Sequence, residues 1–288
     1  MTLGELRAKK SGDQSLWWTS RFLKAVISAG KQASEVEKNE AIDAFLLIAS
    51  QDSEWANLAL GDRSPDGHQL SELLAGDRLE SALSRLQLPT SEADAMLRAR
   101  MYSSAAAWGF KIKAEARSAL WKKAWEQLQR VPADARGAEW KAVAIGPAAE
   151  ADYPSFRDLA MERLAELKED FWRAHFLPNA LDKAAKHTDW PTFDSWLKEW
   201  KALPEPLLRG HSACAVINLE GLRALDEGRL PDVEGAMRSL LENAPADQFV
   251  SNDDTSALPK RLRAEGKLLD LCDAFDAIVK RVDWRLLT

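Results

Sequence analysis

The pentapeptide Asp152-Tyr153-Pro154-Ser155-Phe156 recurs as Asp189-Trp190-Pro191-Thr192-Phe193, and a looser copy follows as Arg229-Leu230-Pro231-Asp232-Val233. The prolines stand 37 and then 40 residues apart, a spacing that suits one helical hairpin per repeat. Each copy reads as a helix start. Proline tolerates the first helical turn, because its missing N–H would have no intrahelical partner there and its φ is already set. The residue before it is pushed out of the helical region, which puts Tyr153 and Trp190 at the bend. Asp152 and Asp189 can accept hydrogen bonds from free amides of the first turn and oppose the helix dipole. Apolar stripes follow: Phe156, Leu159, Ala160, Leu164 and Leu167 in the first copy, and Phe193, Trp196, Leu197 and Trp200 in the second. Their spacing is helical. The second copy runs out at Pro204 and the third at Pro245.

The rest of the chain is punctuated in the same way. Ser34 and Glu37 form a capping-box pattern that opens a helix reaching about Ser50. Helices are expected over 14–28, 53–60, 69–74, 78–86, 92–108 and 112–129. A short one over 137–145 is expected to break at Gly146-Pro147. After Pro245 a polar link, 247–255, leads to helices over 259–264 and 266–282. No stretch alternates in the manner of a strand. The expected fold is all-α, one continuous helical domain over 1–288. Helices at 14–131 merge into a repeat region at 132–250, followed by capping helices at 256–283.

His211 to Pro245, read as helix, turn and helix, resembles a tetratricopeptide repeat. Gly221 falls where that motif places a small residue between close helices, Gly228 at its turn and Pro245 at its end. Ile217, Glu220 and Val233 depart from the motif's usual residues. The resemblance spans about 134–250. It implies stacked antiparallel helical hairpins in a tetratricopeptide-like solenoid or superhelix, whose usual work is protein or peptide recognition.

No catalytic signature is present: no phosphate-cradling loop, dinucleotide fingerprint, nucleophile elbow or zinc-protease motif. The four histidines, His68, His175, His187 and His211, do not pair at metal-ligand spacing. His211 and Cys214 would supply half a site at most. The expectation is a non-enzymatic protein with no cofactor and no metal. An enzyme with a site assembled from scattered residues such as His187, Asp189 and Cys214 is one alternative. A regulator that binds a small molecule or peptide in a groove is another. Two cysteines, a polar N-terminus and no long apolar run point to the cytoplasm rather than secretion or a membrane. A net charge of −6 argues against nucleic acid as the partner and favours a basic protein.

An acidic, all-α chain with irregular repeats and 12 tryptophans also resembles the immunity proteins of bacterial toxin systems. That resemblance implies a protein partner, in its sharper form a basic toxin, neutralised by direct binding. The candidate contacts are Glu220, Glu227 and Glu234, in or beside the best repeat. Trp17, Trp140 and Trp190 join them as anchors expected to be partly exposed, with Trp284 also expected to be exposed. Trp172 is grouped with the core tryptophans Trp121, Trp125, Trp196 and Trp200.

Overall fold

The structure, a computed structural model, describes residues 21, 23–52, 56, 60, 70, 72–74, 77–86, 88, 90–108, 112–243 and 253–267. Trp17, Trp284, His68 and Cys272 lie outside the described residues, as does most of the helix expected at 53–60 and all of 268–282. The described residues are helical, with no strand among them. No described helix is long and apolar enough to cross a membrane.

The chain divides into two compact units, Met1–Leu159 and Ala160–Thr288. In the first, α1 (Glu35–Gln51), α2 (Asp77–Arg85), α3 (Ser91–Trp108), α4 (Ala114–Leu128) and α5 (Ala138–Ala151) follow in order. α6 (Tyr153–Glu166) carries the unit boundary within it. The capping box forms as read: Ser34 Oγ accepts from the Glu37 N–H at 3.3 Å, and Glu37 Oε2 accepts from the Ser34 N–H at 2.7 Å. Ile42, Phe45, Leu79, Leu83, Leu97 and Met101 meet in one buried cluster.

The break expected at Gly146-Pro147 does not occur. α5 runs through both residues to Ala151. An internal proline costs a hydrogen bond and crowds the preceding turn, so packing must offset it. Ala144 and Ala148 are fully buried on α5, and the Trp121 ring of α4 lies where a Cβ on Gly146 would be in ordinary contact, at 3.7 Å. Tertiary burial thus outweighs the local signal.

The second unit continues with α7 (Asp170–Lys186), α8 (Trp190–Lys201), α9 (Gly210–Asp226), α10 (Leu230–Asn243) and α11 (Asp253–Ala264). α7 packs against α8 and α9, while α9 packs against α10 and α11. α11 corrects a second boundary. It starts at Asp253, inside the expected polar link, and carries Pro259 within it.

The repeated pentapeptides do start helices. α6, α8 and α10 open at Tyr153, Trp190 and Leu230. Asp189 accepts from the Thr192 N–H at 3.3 Å, and Asp152 accepts from the Ser155 hydroxyl at 2.7 Å. Phe156, Phe193 and Val233, three residues on from each start, are all buried. The turns before α8 and α10 are also alike. Asp189 N–H reaches Ala184 C=O, and Arg229 N–H reaches Ala224 C=O, a 6→1 closure that needs a left-handed residue just before it.

Gly228 fills that place at φ +72°, but Thr188 fills it at φ +53°. A β-branched residue is strained there. Thr188→Gly is therefore expected to stabilise the protein by about 1 kcal/mol, read as a higher midpoint in urea unfolding. An unchanged or lower midpoint would contradict the strain.

Candidate functional site: a groove between α8 and the α9–α10 hairpin

The repeat start at Asp189-Trp190-Pro191 fixes the first turn of α8 and so aims its next residues. Phe193 is buried beneath the helix, with the Trp190 ring edge-on to it at 5.6 Å. Asp194 faces α9. There Arg223 donates from two nitrogens to the Asp194 carboxylate, the longer bond being 3.3 Å from Nη2 to Oδ2. The same guanidinium lies 4.7 Å from the centroid of the Trp190 ring and donates from Nε to Glu227 at 2.8 Å. Two turns of α8 further on, Lys201 pairs with Glu220 of α9 at 2.5 Å.

These pairs bridge a groove of about 580 Å³. Leu197, Ile217, Pro231 and Ala236 line it alongside Asp194, Lys201, Glu220, Arg223, Arg229 and Asp232. Gly235 and Ala236 keep its α10 wall low. Arg229, just before α10, bonds to Glu227 at the end of α9, at 2.7 Å, and also pairs with Asp232 in the first turn of α10.

The charge network perturbs its members in the expected directions. Asp194 holds the Arg223 guanidinium above its ordinary value against the opposing effect of burial, with Glu227 adding to it. Arg223 and then Arg229 hold the Glu227 carboxyl below its ordinary value. The charged lining of the groove is balanced, Asp194, Glu220 and Asp232 against Lys201, Arg223 and Arg229, around the half-buried Leu197, Ile217 and Ala236.

The candidate residues fall in different places. Glu220 stands in the groove wall. Glu227 joins the network through its two arginines. Glu234 pairs with Arg238 one turn along α10, at 2.5 Å. None of the three carboxylates is bare, because each already meets a cation of its own chain. Trp190 is half-buried, as expected, with Arg223 against its ring.

Trp140 is not partly exposed. It is 6% exposed, beneath the Arg136 guanidinium at 4.6 Å, and its indole N–H has no hydrogen-bond partner. The sequence suggested a short, open helix, but α5 is a full helix and Trp140 is buried on it. Trp17 lies outside the described residues.

The members of the scattered trio sit in different settings. Asp189 serves as the α8 cap, and His187 ends α7. Cys214 is fully buried among Val233, Met237 and Leu258, and burial pushes its thiol up, away from the reactive thiolate. Among the described residues no group of three or more His, Cys, Asp or Glu side chains could hold a metal ion.

Sequence reasoning did not find Arg223 or Asp194. Glu220, Arg223 and Glu227 stand three and four residues apart on α9, a spacing that shares one helix face, so half of the network was there to be seen. No family model, curated protein or solved structure matches this chain.

Proposed function

We propose that this chain is a non-enzymatic helical-repeat protein that binds a basic protein partner, and that the α8–α10 groove is where the partner docks. The observation that carries the reading is the groove itself: the half-buried Leu197, Ile217 and Ala236 flanked by ion pairs that reach between helices. Those apolar side chains offer a seat to an anchor of the partner, and the rim carboxylates keep acceptor capacity for incoming cations. The packing of α7 against α8 and α9, and of α9 against α10 and α11, supports reading these helices as stacked hairpins. In its sharper form the protein is an immunity-type inhibitor that neutralises a basic toxin, its net charge of −6 speeding encounter.

Reversing Glu220, Glu227 and Glu234 to lysine together tests the assignment. Affinity for the identified partner should fall by about a hundredfold, with the association rate losing most of its salt dependence. The midpoint of thermal unfolding is checked in parallel, since each carboxylate also holds a cation of its own chain. Unchanged affinity in a folded triple variant would sink the assignment.

A second reading is favoured by the groove volume, which falls in the range of small-molecule pockets. In that reading the protein is a regulator that binds a metabolite or short peptide. It predicts a ligand-induced rise in unfolding temperature that Ile217→Trp, filling the groove, abolishes.

A further inference from the structure

α7 turns two aromatic side chains outward. Taking about 100° per residue, its buried stripe of Ala174, Leu177, Pro178, Leu181 and Ala184 points one way and Trp172 points almost opposite. Phe171 and His175 lie between. Trp172 is 54% exposed and Phe171 49%.

The three rings form a corner. Phe171 and Trp172 meet edge to face with centroids 5.1 Å apart at 78°, and the His175 ring is 4.3 Å from Phe171 and 6.5 Å from Trp172. His175 is held in place by a 2.8 Å hydrogen bond between Nδ1 and the Phe171 carbonyl.

Isolated exposed apolar residues are ordinary, but two large rings set at right angles on a solvated face are not. Ring faces attract cations. From Glu162 to Asp170, acids outnumber bases four to two. Glu166 is paired with Arg163, and Arg173 is drawn to Glu199 across to α8 at 2.6 Å. Glu169 and Asp170 are exposed, and neither enters an ion pair with a described residue. These two uncommitted carboxylates adjoin the corner in sequence, Glu169 at the N-cap of α7 and Asp170 in its first turn.

We infer that Phe171, Trp172 and His175 form a receptor for a lysine or arginine side chain on a basic segment of the partner, with Glu169 and Asp170 supplying the counter-charge. This rests on the basic-partner reading and gives it a second anchor, separate from the groove residues. The ring faces take the cation and its methylene stem, and the carboxylates bring it in.

The test titrates the full-length protein with a capped octa-arginine peptide and follows the indole ¹H–¹⁵N resonances. The Trp172 resonance is identified by its absence from Trp172→Phe. The expected result is a shift of that resonance on binding and an affinity about tenfold weaker in Trp172→Ala, within the range of a cation–π contact. Trp172→Phe should retain most of the affinity. Glu169→Gln with Asp170→Asn should weaken binding mainly at low salt.

Because Trp172→Ala leaves the charge unchanged, diffuse attraction to an acidic protein would not register its loss. Peptide that binds Trp172→Ala as tightly as the parent would overturn the receptor while leaving the basic-partner reading intact. No binding to the parent protein at low salt would overturn both.

Discussion

Gly221→Leu is expected to cost about 3 kcal/mol or more and to unfold the packing of α9 against its neighbours. Gly221 of α9 abuts side chains of both α10 and α11. A Cβ built there would lie 2.9 Å from the Ala236 Cβ of α10 and closer still to the Leu258 side chain of α11. Ala236 has no rotamer to move, so the backbones must part. Gly221→Ala separates the two effects at this site. Alanine gains about 1 kcal/mol of helix propensity, and the overlap must outweigh it, for a net loss of about 1 kcal/mol. Urea unfolding followed by circular dichroism measures both variants. A stabilised Gly221→Ala would show that the helices separate at no cost and that the glycine is not needed for close packing.

Asn218 carries the second large effect. It is 2% exposed and spans two helices. Its Nδ2 donates to the Cys214 carbonyl within α9, and its Oδ1 accepts from the Leu258 N–H of α11, both at 2.9 Å. Pro259 follows directly and crowds the preceding turn, so an acceptor from another helix steadies the chain just before it.

Asn218→Leu is expected to cost about 2 kcal/mol, since it removes that acceptor from a buried donor. Asn218→Asp keeps the acceptor and buries a charge. It should be worse at pH 7 than leucine and recover as pH falls, because burial raises the folded-state carboxyl above its unfolded value near 3.9 and so favours the protonated form on folding. Equal stability of Asn218→Asp at pH 7 and pH 4.5 would contradict that burial.

The particular residues that were legible in the sequence share a cause. Pro154, Pro191 and Pro231 act on the turn they occupy, so their helix starts could be read locally. Gly221 could be read from the tetratricopeptide-like spacing, and the structure places it against side chains of α10 and α11. Pro147 and Pro259 were misread because their cost is offset by burial against helices distant in sequence, which no local signal reports. Asp194 and Arg223 are 29 residues apart, so only the packing of the hairpins makes them partners.

Trp172 was grouped with the core tryptophans by proximity in sequence. Its phase on α7, opposite the alanine and leucine stripe, was readable and pointed to solvent. Trp140 shows the reverse: an expected surface ring lies under Arg136 once α5 extends to a full helix.

The central claim, a basic partner seated in the α8–α10 groove, is tested most directly by photo-cross-linking from the groove. A photoreactive phenylalanine analogue replaces Ser239, which lines the groove, in tagged full-length protein expressed in its native host. The same residue placed at Glu150, outside the groove lining, serves as the control. The account predicts one stoichiometric basic protein cross-linked from position 239 and not from 150. It should co-purify at low salt without irradiation and be released at high salt. Cross-linking of nothing reproducible from the groove, or of the same proteins from both positions, would contradict it.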